Sequence, residues 1–328
     1  MGTLFVALVI VVAVPAVFIA YSVITPRMPF AGPLDLLTDP ERQVSDRLAS
    51  HLRAIAQTPR NLDHYPALER AAFYIEQQLA EQGHAVQHQS FDVDGCPVRN
   101  LEVVIDPVSK PADMTTYVIG AHYDSPDDSP GANDNGTGVA ALIEIARELK
   151  DERGLGHRIR IVFFVNEELP YGKTNDMGSL RHARMLRASG EPVAGMIALE
   201  TIGYFSEARK TQRFPFPFAW IYPDVGNFVA FVGLLRARSL VKRSLFAFRS
   251  TTRFPSIGGV APSFIPGIDL SDHWAYDQCG FPAMMITDTA PFRNPHYHTP
   301  TDLPHTVDTQ SLARITLGIA SMLRLLAR

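Results

Sequence analysis

Two adjacent carboxylates, Glu167 and Glu168, follow directly on the apolar run at 161–165 and Asn166. A buried strand that ends on two like charges needs something to offset their repulsion and desolvation. A cation does so, and so does exposure on a loop. Four further places in the chain raise the same choice. His122 and Asp124 follow "YVIGA" two residues apart, a spacing that puts both side chains on one face of an extended strand. Asp134 lies in "GANDNGTG" at a helix start, where glycines permit tight backbone geometry and close approach. Glu200 closes "GMIAL". His296 and His298 straddle Tyr297 in the loop beyond "AMMIT" and Asp288. Imidazole and carboxylate together suit zinc or a similar divalent ion. In a His-x-Asp pair one side chain can bind metal while the other orients the ring.

Taken singly, each of these residues has an ordinary reading. Asp134 is a helix cap or turn residue, the glutamates open a solvated loop, and the histidines are loop polarity. Asn135-Gly136-Thr137 matches a glycosylation acceptor but sits inside the cluster, and "GTG" lacks the spacing of a dinucleotide fingerprint. What gives the set force is where the elements put it. Helical apolar spacing marks residues 40–56 and 65–82, the second closed by Gly83. Strand patterns follow in "HAVQHQSFDV", "RNLEVVID", "TTYVIGAHYD", "HRIRIVFFVNEE", "VAGMIALET" and "FPAMMITD". Helices intervene from near Gly136, over "MGSLRHARMLRAS" and over "DTQSLARITLGIASMLRLLA". Strands alternating with helices predict an α/β fold, three layers α/β/α around a mostly parallel mixed sheet. In such sheets, sites lie beyond the carboxyl ends of the strands, where each candidate falls. Residues 205–268 are less regular and read as an insertion with one helix near 225–240 and long loops that shape a pocket.

The whole chain sets outer bounds. Its 328 residues are 46% hydrophobic and 20% charged, with net charge −4. That is globular composition with no bulk electrostatic case for nucleic acid. Only Cys96 and Cys279 are present, which excludes a disulfide scaffold and a thiolate zinc finger and leaves one disulfide or two free thiols. Residues 4–24 carry no charge, enough apolar length to span a bilayer. They are expected to anchor the chain in a membrane, with the remainder outside the cytoplasm. The alternative is a cleaved signal segment and a secreted protein. The expected organisation is an anchor or signal at 1–25, a tether at 26–39, and one domain at 40–328.

The quoted pieces, with "SDHWAYDQCGFPAMMITDTA" and "NPHYHTPTDLP", resemble the M28 family of zinc exopeptidases, the aminopeptidase Y/leucyl aminopeptidase group. They occur in the family's order over residues 118–304, and "PALERAAFYIEQQLAEQGHAVQHQSF" resembles its opening helix and strand. The resemblance implies two zinc ions per chain. His122 and Glu200 bind one, Glu168 and His298 bind the other, and Asp134 bridges them. Glu167 is the general base, a bridging hydroxide the nucleophile, and Asp124 holds His122. Asp272 of "SDH" supports the centre from further out. A cis peptide is implied at Asp134–Asn135. Glu200 departs from the aspartate found in many members, which keeps the carboxylate but lengthens its reach by a methylene.

The implied activity is hydrolysis of peptides at the N-terminus. Three alternatives remain. A glutaminyl-cyclase-like acyltransferase of the same fold works with one zinc. A non-catalytic peptide-binding ectodomain would lack ligands. A carboxypeptidase would need a basic residue facing the substrate carboxylate, and Arg209, Arg213, Arg249 and Arg253 are available in the insertion.

Overall fold

The computed structural model describes residues 17–109 and 111–328. The chain opens in helix α1, described over residues 17–23. Helix α2 (Asp39–Ile55) starts from a reciprocal cap, in which Thr38 accepts from the Glu41 N–H and the Glu41 carboxylate accepts from the Thr38 N–H. There follow α3 (Tyr65–Glu81), β1 (Gln87–Val93), β2 (Cys96–Ile105), β3 (Thr116–His122), α4 (Thr137–Leu149), β4 (Arg158–Phe164), α5 (Gly178–Ser189) and β5 (Val193–Glu200). The second half adds β6 (Val229–Leu234), α6 (Arg238–Thr251), β7 (Ser256–Ala261), α7 (His273–Gln278), β8 (Ala283–Thr287) and α8 (Thr309–Leu326).

All eight strands form one sheet in the order β1-β2-β4-β3-β5-β8-β6-β7. The central strands β4, β3, β5 and β8 are parallel. β2 runs antiparallel to β4, and β6 antiparallel to β8. The expected mixed, mostly parallel α/β fold is therefore present. Because side chains alternate along a strand, the central strands feed two cores. Ile159, Ile161 and Phe163 of β4, with Ile119 and Ile197, join the core under α2, α3, α4, α6 and α8. Val162 and Phe164, with Val118 and Met196, join the core under α5 and α7. Burial on both faces explains why these strands read as unbroken apolar runs.

Two expectations need correction. Residues 205–268 do not hold a helix at 225–240 between long loops. They hold β6, α6 and β7, with the helix beginning only at Arg238. A short apolar run such as "VAFVGL" has no periodicity that separates strand from helix. Its pairing with β8 settles the choice.

The second correction concerns the membrane anchor and the localisation built on it. Residues 4–16 of the expected span lie outside the described residues, and among the described residues no helix is long and apolar enough to cross a membrane. Its described end lies instead against the domain. Ser22 is buried, and Arg238 donates to the Tyr21 carbonyl at 3.0 Å. Apolar composition alone does not say whether the surface that covers it is lipid or protein. Cys96 and Cys279 are both free thiols.

Candidate metal centre

Parallel pairing brings the carboxyl ends of β3, β4, β5 and β8 to one edge of the sheet. β3 delivers His122 there and β5 delivers Glu200, each as its last residue. The turn after β4 carries Glu167 and Glu168, and the loop after β8 carries His298. Asp134 comes from the loop that leads into α4. The Nε2 of His122 lies 3.4 Å from Asp134 Oδ1 and 3.3 Å from Glu200 Oε2. On the other side, His298 Nε2 lies 3.0 Å from Asp134 Oδ2 and 3.8 Å from Glu168 Oε1. Asp134 thus faces two histidine–carboxylate pairs, one with each oxygen. Donor atoms of His122, Asp134 and Glu200 lie within 4.8 Å of one another, as do those of Asp134, Glu168 and His298. A third combination within the same reach joins His122 to Glu167 and Glu168.

The residues fit a divalent ion on their own chemistry. Both ring nitrogens of His122 and the Oδ1 of Asp134 are buried without a hydrogen-bond partner. Atoms left this way are costly, and a bound cation would satisfy them. Without a cation the charges are mismatched. Burial, reinforced by neighbouring carboxylates, pushes Glu167, Glu168 and Glu200 up. Burial would lower His122, but the charges of Glu167 and Glu200 outweigh it and push the imidazole up. Burial would likewise raise Asp134, yet hydrogen bonds to His122 and His298 hold it low. A metal reverses this pattern, since coordination takes ionised carboxylates and neutral imidazoles.

Around the cluster stands a rigid support. Asp124 accepts from the backbone N–H groups of Glu167 and Glu168 at 3.2 and 3.1 Å, and lies 3.6 Å from His122 Nδ1. It therefore ties the two-glutamate turn to β3 as well as standing behind the ring. Asp272 is buried near Glu167, and burial pushes its carboxyl up to about 7. The contact to Glu200 comes from its neighbour, with Ser271 Oγ donating at 2.8 Å. His296 is not in the cluster; its Nδ1 meets Thr301 Oγ1 at 2.9 Å. The peptide Asp134–Asn135 is cis.

Sequence reading missed several of the residues that hold this loop. Asp302 accepts from the N–H groups of Asn133 and Asp134 at 2.9 and 3.0 Å. Asp288 accepts from Asn133 Nδ2 and the Tyr204 N–H. Arg60, wholly buried, donates to the carbonyls of Tyr123, Pro130 and Gly131, joining the loops after β3. Asp302 sits in "HTPTDLP" and was open to notice. Arg60 carries no local signal, because an arginine between two helices reads as surface.

Next to Glu200 opens an apolar cavity of about 780 Å³, walled by Phe214, Phe218, Tyr222, Ile265, Phe292 and Tyr297. Of the insertion arginines, Arg249 is spent on the carbonyls of Pro26, Arg27 and Ser256, Arg253 pairs with Asp35, and Arg209 with Asp224. Arg213 is exposed.

The chain matches the model of Peptidase family M28 over residues 102–323. It is 37% identical to YfbL of Escherichia coli over 299 residues, 88% of this chain and 90% of that protein. In fold it is similar to BSAP, a zinc aminopeptidase from Bacillus subtilis, with a TM-score of 0.67 and 14% identity over 87% of this chain and 95% of that one. It is also similar to the glutaminyl cyclase of Porphyromonas gingivalis, with a TM-score of 0.62 and 21% identity over 87% of this chain and 99% of that one. At these identities the two structures speak for the fold alone.

Proposed function

The chain belongs to peptidase family M28, and from that premise we propose that it is a zinc-dependent aminopeptidase releasing N-terminal residues from peptides. The observation that carries the reading is Asp134, whose two carboxylate oxygens face separate histidine–carboxylate pairs. On this reading His122 and Glu200 would hold one zinc, Glu168 and His298 a second, with Asp134 common to both. Bound zinc would supply Lewis-acid polarisation of the scissile carbonyl and a lowered pKa for water.

Glu167 is the general base. It is excluded from both ligand sets that share Asp134, and its side chain keeps 15% of its exposure, so it can reach an incoming substrate. Its carboxylate takes a proton from the attacking water and returns it to the leaving amine. Asp124 fixes the turn that carries it. The apolar cavity beside Glu200 receives the side chain of the residue released, favouring apolar residues because its walls offer no counter-charge.

Two rivals fit less well. A single-zinc acyltransferase has no need of the complete five-residue set. A carboxypeptidase needs a free cation at the cleft, and three of the four arginines noted in the insertion are engaged elsewhere. The deciding measurement is metal per chain by elemental mass spectrometry on zinc-loaded protein, followed by an aminoacyl-amide panel. About two zinc ions with release of apolar N-terminal residues is expected. One zinc with cyclisation of N-terminal glutamine would move the protein to the acyltransferases.

A further inference from the structure

The apolar cavity has an unusual outer wall. Gly259 and Val260 of β7 line it, and β7 is the edge strand of the sheet, paired only with β6. An edge strand carrying the pair Gly258–Gly259 has little side chain of its own with which to resist displacement. Its outer side is covered by residues that precede the domain. A Cβ added at Gly259 would lie 2.9 Å from the Ser22 carbonyl oxygen and 2.9 Å from Tyr222 Oη. Tyr222, itself a cavity residue, donates to the Gly258 carbonyl at 2.9 Å. The covering segment is held by arginines of α6. Arg238 donates to the Tyr21 carbonyl and stacks on its ring at 3.9 Å. Arg249 spans the joint, donating to Pro26 and Arg27 on one side and to the Ser256 carbonyl of β7 at 2.7 Å on the other.

We propose that residues 21–27 are a buttress for the cavity, holding β7 and Tyr222 in place and so setting how well the cavity grips a large apolar side chain. The segment touches the far side of the wall from the metal centre. It therefore acts on side-chain selectivity and leaves the chemistry at Glu167 alone. The inference rests on the preceding reading of the cavity as the side-chain pocket.

The test uses the full chain, zinc-loaded, with Tyr21→Ala/Arg238→Ala as one variant and Arg249→Met as a second, so that misfolding of one leaves the other informative. KM and kcat are measured for phenylalanine and alanine amides, alongside calorimetric binding of the uncleavable phenylalaninol and alaninol. The expected result is a rise of about tenfold in KM for the phenylalanine amide, with kcat, the alanine amide and zinc content unchanged. Phenylalaninol should weaken by the same factor. Unchanged phenylalanine KM in both folded variants, or equal losses for both amides, would overturn the buttress. If the wild type cleaves neither amide yet its selective grip on phenylalaninol is lost in the variants, the buttress stands and the peptidase reading fails. If phenylalaninol does not bind the wild type, the buttress falls.

Discussion

Glu167 and Glu168 are neighbours in the chain with different surroundings. Asp124 pins both of their backbone N–H groups, so the turn cannot rotate to exchange one side chain for the other. Glu168 faces His298 and Glu167 faces His122. The proposed division of labour gives a sharp expectation. Glu167→Gln keeps the shape of the side chain and removes its basicity. It should bind the wild-type complement of zinc while losing about 10²- to 10⁴-fold in kcat. Elemental analysis and amide hydrolysis on the same sample check this. A variant that kept near wild-type turnover would remove Glu167 from the role of base.

Among the elements, α4 matters most to the centre, because it begins directly after the Asp134 loop. Its position is set partly by one buried carboxylate. Glu144 accepts from Arg47 of α2 at 2.8 Å, meets His51 Nε2 at 3.1 Å, and His51 in turn meets Tyr74 of α3 at 2.8 Å. Burial alone would raise the Glu144 carboxyl, but the hydrogen bonds from His51 and Arg47 hold it down at about 2. A depressed carboxyl stabilises the fold fully above its unfolded value near 4.5, and that contribution is lost as pH falls toward 2. Glu144→Gln should therefore cost roughly 3 kcal/mol at neutral pH, since it strands Arg47 and His51. It should also flatten the pH dependence of stability between 4.5 and 2. Denaturant unfolding across that range is the measurement. An unchanged slope would assign the acid sensitivity to other carboxylates.

For the whole molecule, the candidate ligands come from loops after β3, β4 and β8 and from the end of β5, so an ion there joins segments more than a hundred residues apart in sequence. Binding to the folded state alone stabilises it by mass action, about 4 kcal/mol at a free zinc concentration a thousand times Kd. Chelated protein should melt several degrees below zinc-loaded protein, and the loss should be much smaller in Asp134→Ala, where the shared ligand is gone. Equal melting of loaded and chelated wild type would count against an ion at this edge.

Much of this was legible in the chain itself. Alternating strand and helix patterns, and polar residues at the end of each apolar strand, were enough to place His122, Glu167, Glu168 and Glu200 along one edge, because parallel strands must end together. The order of the motifs pointed to the family. Three things waited on tertiary structure. The assignment of 229–234 to a strand depends on a partner 50 residues away, which no local pattern encodes. Arg60, Asp302 and Asp288 acquire their roles only where loops from distant segments meet, since a single buried polar residue looks like any other until its partners are known. The apolar N-terminal stretch was misread as a membrane span for the same reason. Hydrophobicity is a demand to leave water, and only the folded chain decides what meets that demand.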